Sequence, residues 1–153
     1  DATKLSGALP AIDGSALTNL PGGGKVLQVV QALDIGNISS TSTAYADANL
    51  SATITPSSTS SKILVLVSQT GFSNGAQDVS FNIVRDSTQI TETYYQSKYT
   101  SQEFAGNFLN YLDSPATTSA LTYKTQVKTS ASTIYLNWGS SGRSTITLME
   151  IGA

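Results

Sequence analysis

From Lys25 onward, apolar and polar residues alternate with a period of two in short runs broken by Gly, Asn, Asp, Ser and Pro, a pattern that predicts strands rather than helices. Residues 26–32 predict a mostly buried first strand. Residues 38–44, rich in Ser and Thr, predict an edge strand or loop. Residues 50–55 alternate cleanly until Pro56 stops them, because proline brings no donor to a ladder. After a polar turn at 57–61, residues 62–68 form the most hydrophobic run of the chain, and its β-branched content predicts a central strand buried on both faces.

Asn74-Gly75 marks a tight turn. Residues 79–86 send Val79, Phe81, Ile83 and Arg85 to one side, and 88–95 predict a further strand. Residues 96–107 show no period and read as a longer loop. Residues 108–113 predict a short strand. Residues 121–128 place Leu121, Tyr123, Thr125 and Val127 on one face, with Lys124 and Lys128 on the other. Residues 133–138 and 145–151 predict the last two strands, on either side of the Gly139-Ser-Ser-Gly-Arg143 loop. About eight to ten short strands without a helix predict an all-β, antiparallel, jelly-roll-like β-sandwich over residues 25–153.

The first 24 residues follow a different rule. Leu5, Leu9, Ile12, Leu17 and Leu20 are spaced like a helical stripe, but Gly7, Pro10, Gly14 and Pro21 oppose a helix. The segment reads better as a repeat, with Ala8, Leu9 and Ile12 matched by Ala16, Leu17 and Leu20. Ordering such a stretch costs on the order of 20–40 kcal/mol of backbone entropy. Burying its large apolar side chains contributes only about 7–15 kcal/mol. The expectation is an extended stem, residues 1–24, that orders only against the same segment of neighbouring copies, Gly and Ala letting the backbones approach around an axis. The alternative is a flexible leader, which the closing Pro21-Gly-Gly-Gly24 also suits. Asp1 in place of an initiator methionine predicts a C-terminal piece of a longer chain.

Composition narrows the function. The chain of 153 residues carries only 12% charged side chains and a net charge of −2, which disfavours nucleic acid as a partner because phosphates need clustered Lys and Arg. It has neither Cys nor His, so thiolate and imidazole metal sites and the commonest general base are absent. No apolar run approaches the ~18 residues of a membrane span, so membrane insertion is not expected.

Several phrases are familiar together: Leu9-Pro-Ala-Ile-Asp-Gly-Ser-Ala-Leu-Thr-Asn-Leu20, Ser61-Lys-Ile-Leu-Val65, Tyr111-Leu-Asp-Ser-Pro-Ala-Thr-Thr-Ser-Ala-Leu-Thr-Tyr-Lys124 and Ser144-Thr-Ile-Thr-Leu-Met-Glu-Ile151. They resemble the C-terminal region of bacteriophage tail fibres and related virion fibre proteins, over nearly the whole chain. The resemblance implies a homotrimer in which an intertwined stem feeds three β-sandwiches, joined to other virion proteins on its N-terminal side. It also implies a place on the virion, and a role in attachment to the host surface or in decorating the particle.

Glycan hydrolysis would need a pair of carboxylates. Asp34, Asp47, Asp78, Asp86, Glu92, Glu103, Asp113 and Glu150 show no signature spacing, although Asp78 with Asp86, or Glu92 with Glu103, are able to meet across loops. A non-catalytic protein without cofactor is expected. No ordered calcium loop appears either. For a ligand, such as a cell-surface glycan, the expected platform is Tyr94, Tyr95, Gln96 and Tyr99, followed by Gln102 and Phe104, because aromatic rings offer sugars a flat apolar face beside amides. Trp138 with Arg143, and Phe72 with Asn74, are further candidates at two other turns. The competing account points these rings into the sandwich core.

Overall fold

The computed structural model describes residues 24–139 and 142–152, with residues 92–96 described in backbone only. The stem positions Leu5, Leu9, Ile12, Leu17 and Leu20 therefore lie outside the described residues.

Ten strands follow one another: β1 (Val26–Asp34), β2 (Ile38–Ser40), β3 (Ala46–Ile54), β4 (Lys62–Asn74), β5 (Gln77–Arg85), β6 (Thr88–Tyr99), β7 (Gln102–Asp113), β8 (Leu121–Thr129), β9 (Ile134–Leu136) and β10 (Ser144–Ile151). They form two antiparallel sheets, one of six strands in the order β1-β10-β4-β9-β2 with β7 on the far side of β4, the other of four in the order β3-β8-β5-β6. With the short β2 and β9 set aside, β1-β10-β4-β7 faces β3-β8-β5-β6, the interleaved order of a jelly roll. Between the sheets lie Leu50, Ile54, Ile63, Val65, Phe81, Ile83, Tyr123, Ile146 and Leu148. The predicted inward set Leu121, Tyr123, Thr125 and Val127 is buried throughout.

Polar side chains pin the layers together. Asp113, at the end of β7, accepts hydrogen bonds at 2.6 Å from Arg85 and 2.7 Å from Tyr123, both in the opposite sheet. Burial and the bond donated to Asp113 push the Tyr123 phenol well up, and the same carboxylate raises Arg85. Nearer Gly24, the buried Glu150 accepts bonds from the Ser57 backbone and hydroxyl and from Gln28, at 2.6–2.7 Å. Burial alone would raise its carboxyl, but these donors outweigh burial and hold it at about 2.

Three expectations need correction. β4 extends to Asn74 and is buried on one face only, its alternate positions Leu64, Ser68, Thr70 and Phe72 being half-buried and Leu66 exposed. The loop expected over 96–107 is a tight hairpin, because β6 runs to Tyr99 and β7 starts at Gln102. The period of β7 escapes notice because its polarity is inverted. Phe104 and Phe108 point to solvent, 68% and 70% exposed, while Asn107 is buried. Asn107 is satisfied inside, accepting from the Ser97 hydroxyl and donating to the Gln69 carbonyl at 3.4 Å. A buried amide with both functions engaged tolerates a core position that an apolar residue would ordinarily take.

The sandwich has two distinct ends. Gly24, Gly152, Lys62 and Asp113 mark the one where the chain enters, Gly152 N–H donating to the Lys25 carbonyl at 2.8 Å. Phe72 and Phe104 are paired nine residues further along the β4–β7 ladder from Ile63 and Asp113, about 30 Å away at strand rise.

Candidate functional site: an aromatic cluster at the distal end

Register builds this cluster. Phe72 of β4 is directly opposite Phe104 of β7 on one side and Tyr135 of β9 on the other, so three rings stand in a row on the outer face of the six-stranded sheet. Phe72 and Phe104 are 4.7 Å apart between centroids, and Phe72 and Tyr135 6.1 Å. Trp138, two residues past β9, closes the group with its indole 4.4 Å from Tyr135 and 5.9 Å from Phe72, nearly parallel to the latter at 16°. Trp138 remains 43% exposed, so the cluster presents ring faces and edges to water.

Trp138 is held by the residue before it. Asn137 is fully buried with φ 55°, a left-handed conformation that asparagine tolerates better than most residues. Its amide donates to Asp34 at 2.8 Å and to the Gly36 carbonyl at 3.2 Å, and its carbonyl accepts from Ser144 at 2.5 Å and Thr70 at 3.3 Å. A Cβ on Gly142 would sit 2.3 Å from the Asn137 carbonyl carbon, so only glycine lets the returning loop pass there. The Trp138 indole thus projects from a fixed turn.

Amides flank the rings. Asn74 and Gln102 continue the same outward positions two residues beyond Phe72 and before Phe104, with Gln102 donating to Asn74 at 2.7 Å. Each amide keeps further donor or acceptor capacity for a ligand hydroxyl. An uncharged apolar platform edged by amides can stack on the C–H face of a sugar ring and hydrogen-bond its hydroxyls.

The structure separates the residues expected to act together. Tyr99 is 2% exposed and belongs to the core, its ring accommodated by the bare Gly71, where a Cβ would approach the phenol oxygen to 3.2 Å. Burial raises its phenol. Tyr94, Tyr95 and Gln96 lie within β6, and their side chains are outside the described residues. Trp138 does lie at the surface, joined by Phe72 and Phe104 from distant parts of the sequence and by Tyr135, which sequence reading passed over.

The carboxylates are dispersed. Asp78 and Asp86 sit at opposite ends of β5, Asp86 capping the Thr122 N–H at 2.9 Å, and Glu103 accepts from the Thr100 N–H at 2.8 Å in the β6–β7 hairpin. Asp47 pairs with Lys124 at 2.9 Å across the other sheet and is lowered by bonds from Gln126 and Lys124. Beside that pair is an open depression of about 140 Å³ lined by Asp47, Asn49, Ser51 and Lys124, well below the volume of ordinary ligand pockets. Among the described residues no three acidic groups gather into a metal-binding cluster.

No family model matches the chain, and no curated protein matches it. Among solved structures it is similar to the VP2 subviral particle of infectious bursal disease virus, at 13% identity and TM-score 0.48 over 81% of this chain and 39% of that one. It is similar to the Gt strain of the same virus at 13% identity and 0.48, over 84% and 39%, and to its T=1 particles at 14% and 0.47, over 82% and 36%. The chain thus spans about two fifths of the length of these proteins. Likeness at this level assigns no activity, since one fold serves many functions.

Proposed function

We propose that this chain is a virion structural protein, the homotrimeric C-terminal module of a phage tail fibre, which attaches the particle to a host-surface glycan without catalysis. The supporting observation is the position of the aromatic cluster. Phe72, Phe104, Tyr135 and Trp138 stand at the end of the sandwich opposite the stem entry, where a fibre tip meets a cell. Three such clusters on one rigid trimer gain avidity, so each can be shallow. Non-catalytic attachment accords with the dispersed acids, of which Glu150 and Asp113 are each engaged by neighbouring donors.

The test is adsorption of the full chain to host cells and to their purified surface polysaccharide, with Trp138→Ala and Phe104→Ala as variants. Attachment reduced about tenfold or more in both, with unchanged thermal stability, supports the reading. Undiminished attachment overturns the assignment of the cluster. Binding to empty particle shells and not to cells would favour a decoration protein, and release of reducing sugar ends would favour a glycan-degrading spike.

A further inference from the structure

Below the aromatic cluster, the outer face of the six-stranded sheet carries Val29 and Leu33 of β1, Met149 of β10, Leu66 of β4, and Phe108 and Leu112 of β7. The ladder registers Val29 with Met149, Met149 with Leu64, and Leu64 with Leu112, so one unbroken apolar row crosses four strands, and beyond it Leu66, Leu33 and Phe108 are set among Gln31, Thr147, Asn110, Thr145 and Ser68. Leu66, near the centre of the face, is 39% exposed. Contiguous apolar faces of this kind are uncommon on monomers and mark association sites. Among the described residues nothing on the opposite side of the sandwich matches it. There the outward positions of β3 and β8 carry Asp47, Ser51, Thr53, Lys124 and Gln126.

We propose that this face is where sister copies of the chain pack together in the trimer. Three observations select a sister copy over another partner. The outward positions of the face, Val29, Gln31 and Leu33 on β1, the alternate residues 64–72 on β4, 104–112 on β7 and 145–151 on β10, are uncharged, and Lys62, the next outward residue of β4, stands only at the margin, opposite Ile151. A charged partner finds nothing within the face to pair with, whereas an identical uncharged face meets no repulsion. Second, the run at 62–68 has the composition of a strand covered on both faces, and the described residues of one chain cover only one. Third, Gly24 adjoins the edge of this same sheet, where a Cβ on it would touch Ile151 at 2.7 Å. Copies joined through their leaders bring these sheets, and not the charged ones, toward the common axis.

The inference rests on the homotrimeric reading, and the absence of cysteine from the sequence provides a clean test of it. Full-length Leu66→Cys and Ser51→Cys proteins each present one thiol. Mass is measured by light scattering, thiol reactivity with a polar maleimide, and proximity with a short bis-maleimide. A trimer in which the thiol at 66 reacts at least tenfold more slowly than that at 51, and in which only the former cross-links chain to chain, supports the proposal. A trimer with equal reactivities overturns it while leaving the homotrimer standing. Protection without cross-linking assigns the cover to residues 1–23 and also overturns it. A monomer overturns both readings. Because Leu66→Cys is a small change at a part-exposed site, the protein remains folded for the measurement.

Discussion

The indole of Trp138 lies stacked on the ring of Phe72, 5.9 Å between centroids and 16° from parallel, although 66 positions separate them in the chain (138 − 72). The contact fixes one exposed ring by means of another that is half-buried. Phe72→Ala should therefore weaken glycan binding three- to tenfold without touching the ligand edge, through a less ordered Trp138. Phe72→Tyr should retain binding. Since Trp138 is the sole tryptophan, its emission reports the stack directly and would change on contact with the proposed ligand.

Asn137 should prove more important to stability than an ordinary turn residue. Asn137→Ala removes the bonds to Asp34, Gly36, Ser144 and Thr70 and forces alanine to hold φ 55°. The expected loss is about 2–4 kcal/mol in denaturant unfolding. Asn137→Gly, which relieves the backbone but not the bonds, should lose less.

Acid should weaken the sandwich through Glu150. Its carboxyl is held at about 2 in the fold against an ordinary 4.5. A depressed value means that its contribution is complete above about 4.5 and is lost as pH falls toward 2. Thermal scans of Glu150→Gln should show a lower Tm at pH 7 but a shallower fall between pH 5 and 3 than in the parent. Parallel curves would remove Glu150 as the acid-sensitive group.

Asp113 bridges the sheets, so Asp113→Ala leaves the Arg85 guanidinium and the buried Tyr123 hydroxyl without their acceptor. A loss of about 2–4 kcal/mol is expected in chemical unfolding. Adding Tyr123→Phe to that variant should cost little more, because the two residues share one interaction.

In the proposed homotrimer the leader contributes to assembly as well as the sheet face. Leu9, Ile12 and Leu17 replaced together by Ser should lower the mass seen by light scattering or expose the leader to protease, with little change in the unfolding of the sandwich. Unchanged mass and protease resistance would separate the stem from assembly.

The sequence by itself determined the class of fold. Strand period, turn residues and the absence of any helical stripe after Lys25 are local properties, and they suffice for an antiparallel sandwich because side chains alternate across a strand wherever it pairs. They also suffice for the inward face of β8 and for Arg85 on the side of Val79, Phe81 and Ile83. Tertiary structure alone decided which strands adjoin, and so which rings meet. Phe72, Phe104, Tyr135 and Trp138 come from three strands and a turn, and only the β4 ladders to β7 and β9 align them. The sequence was misleading where polarity is inverted. Asn107 inside and Phe104 and Phe108 outside erase the alternation of β7, because an amide satisfied within the core and aromatic rings turned to the outer face both break the rule that hydrophobic positions point inward.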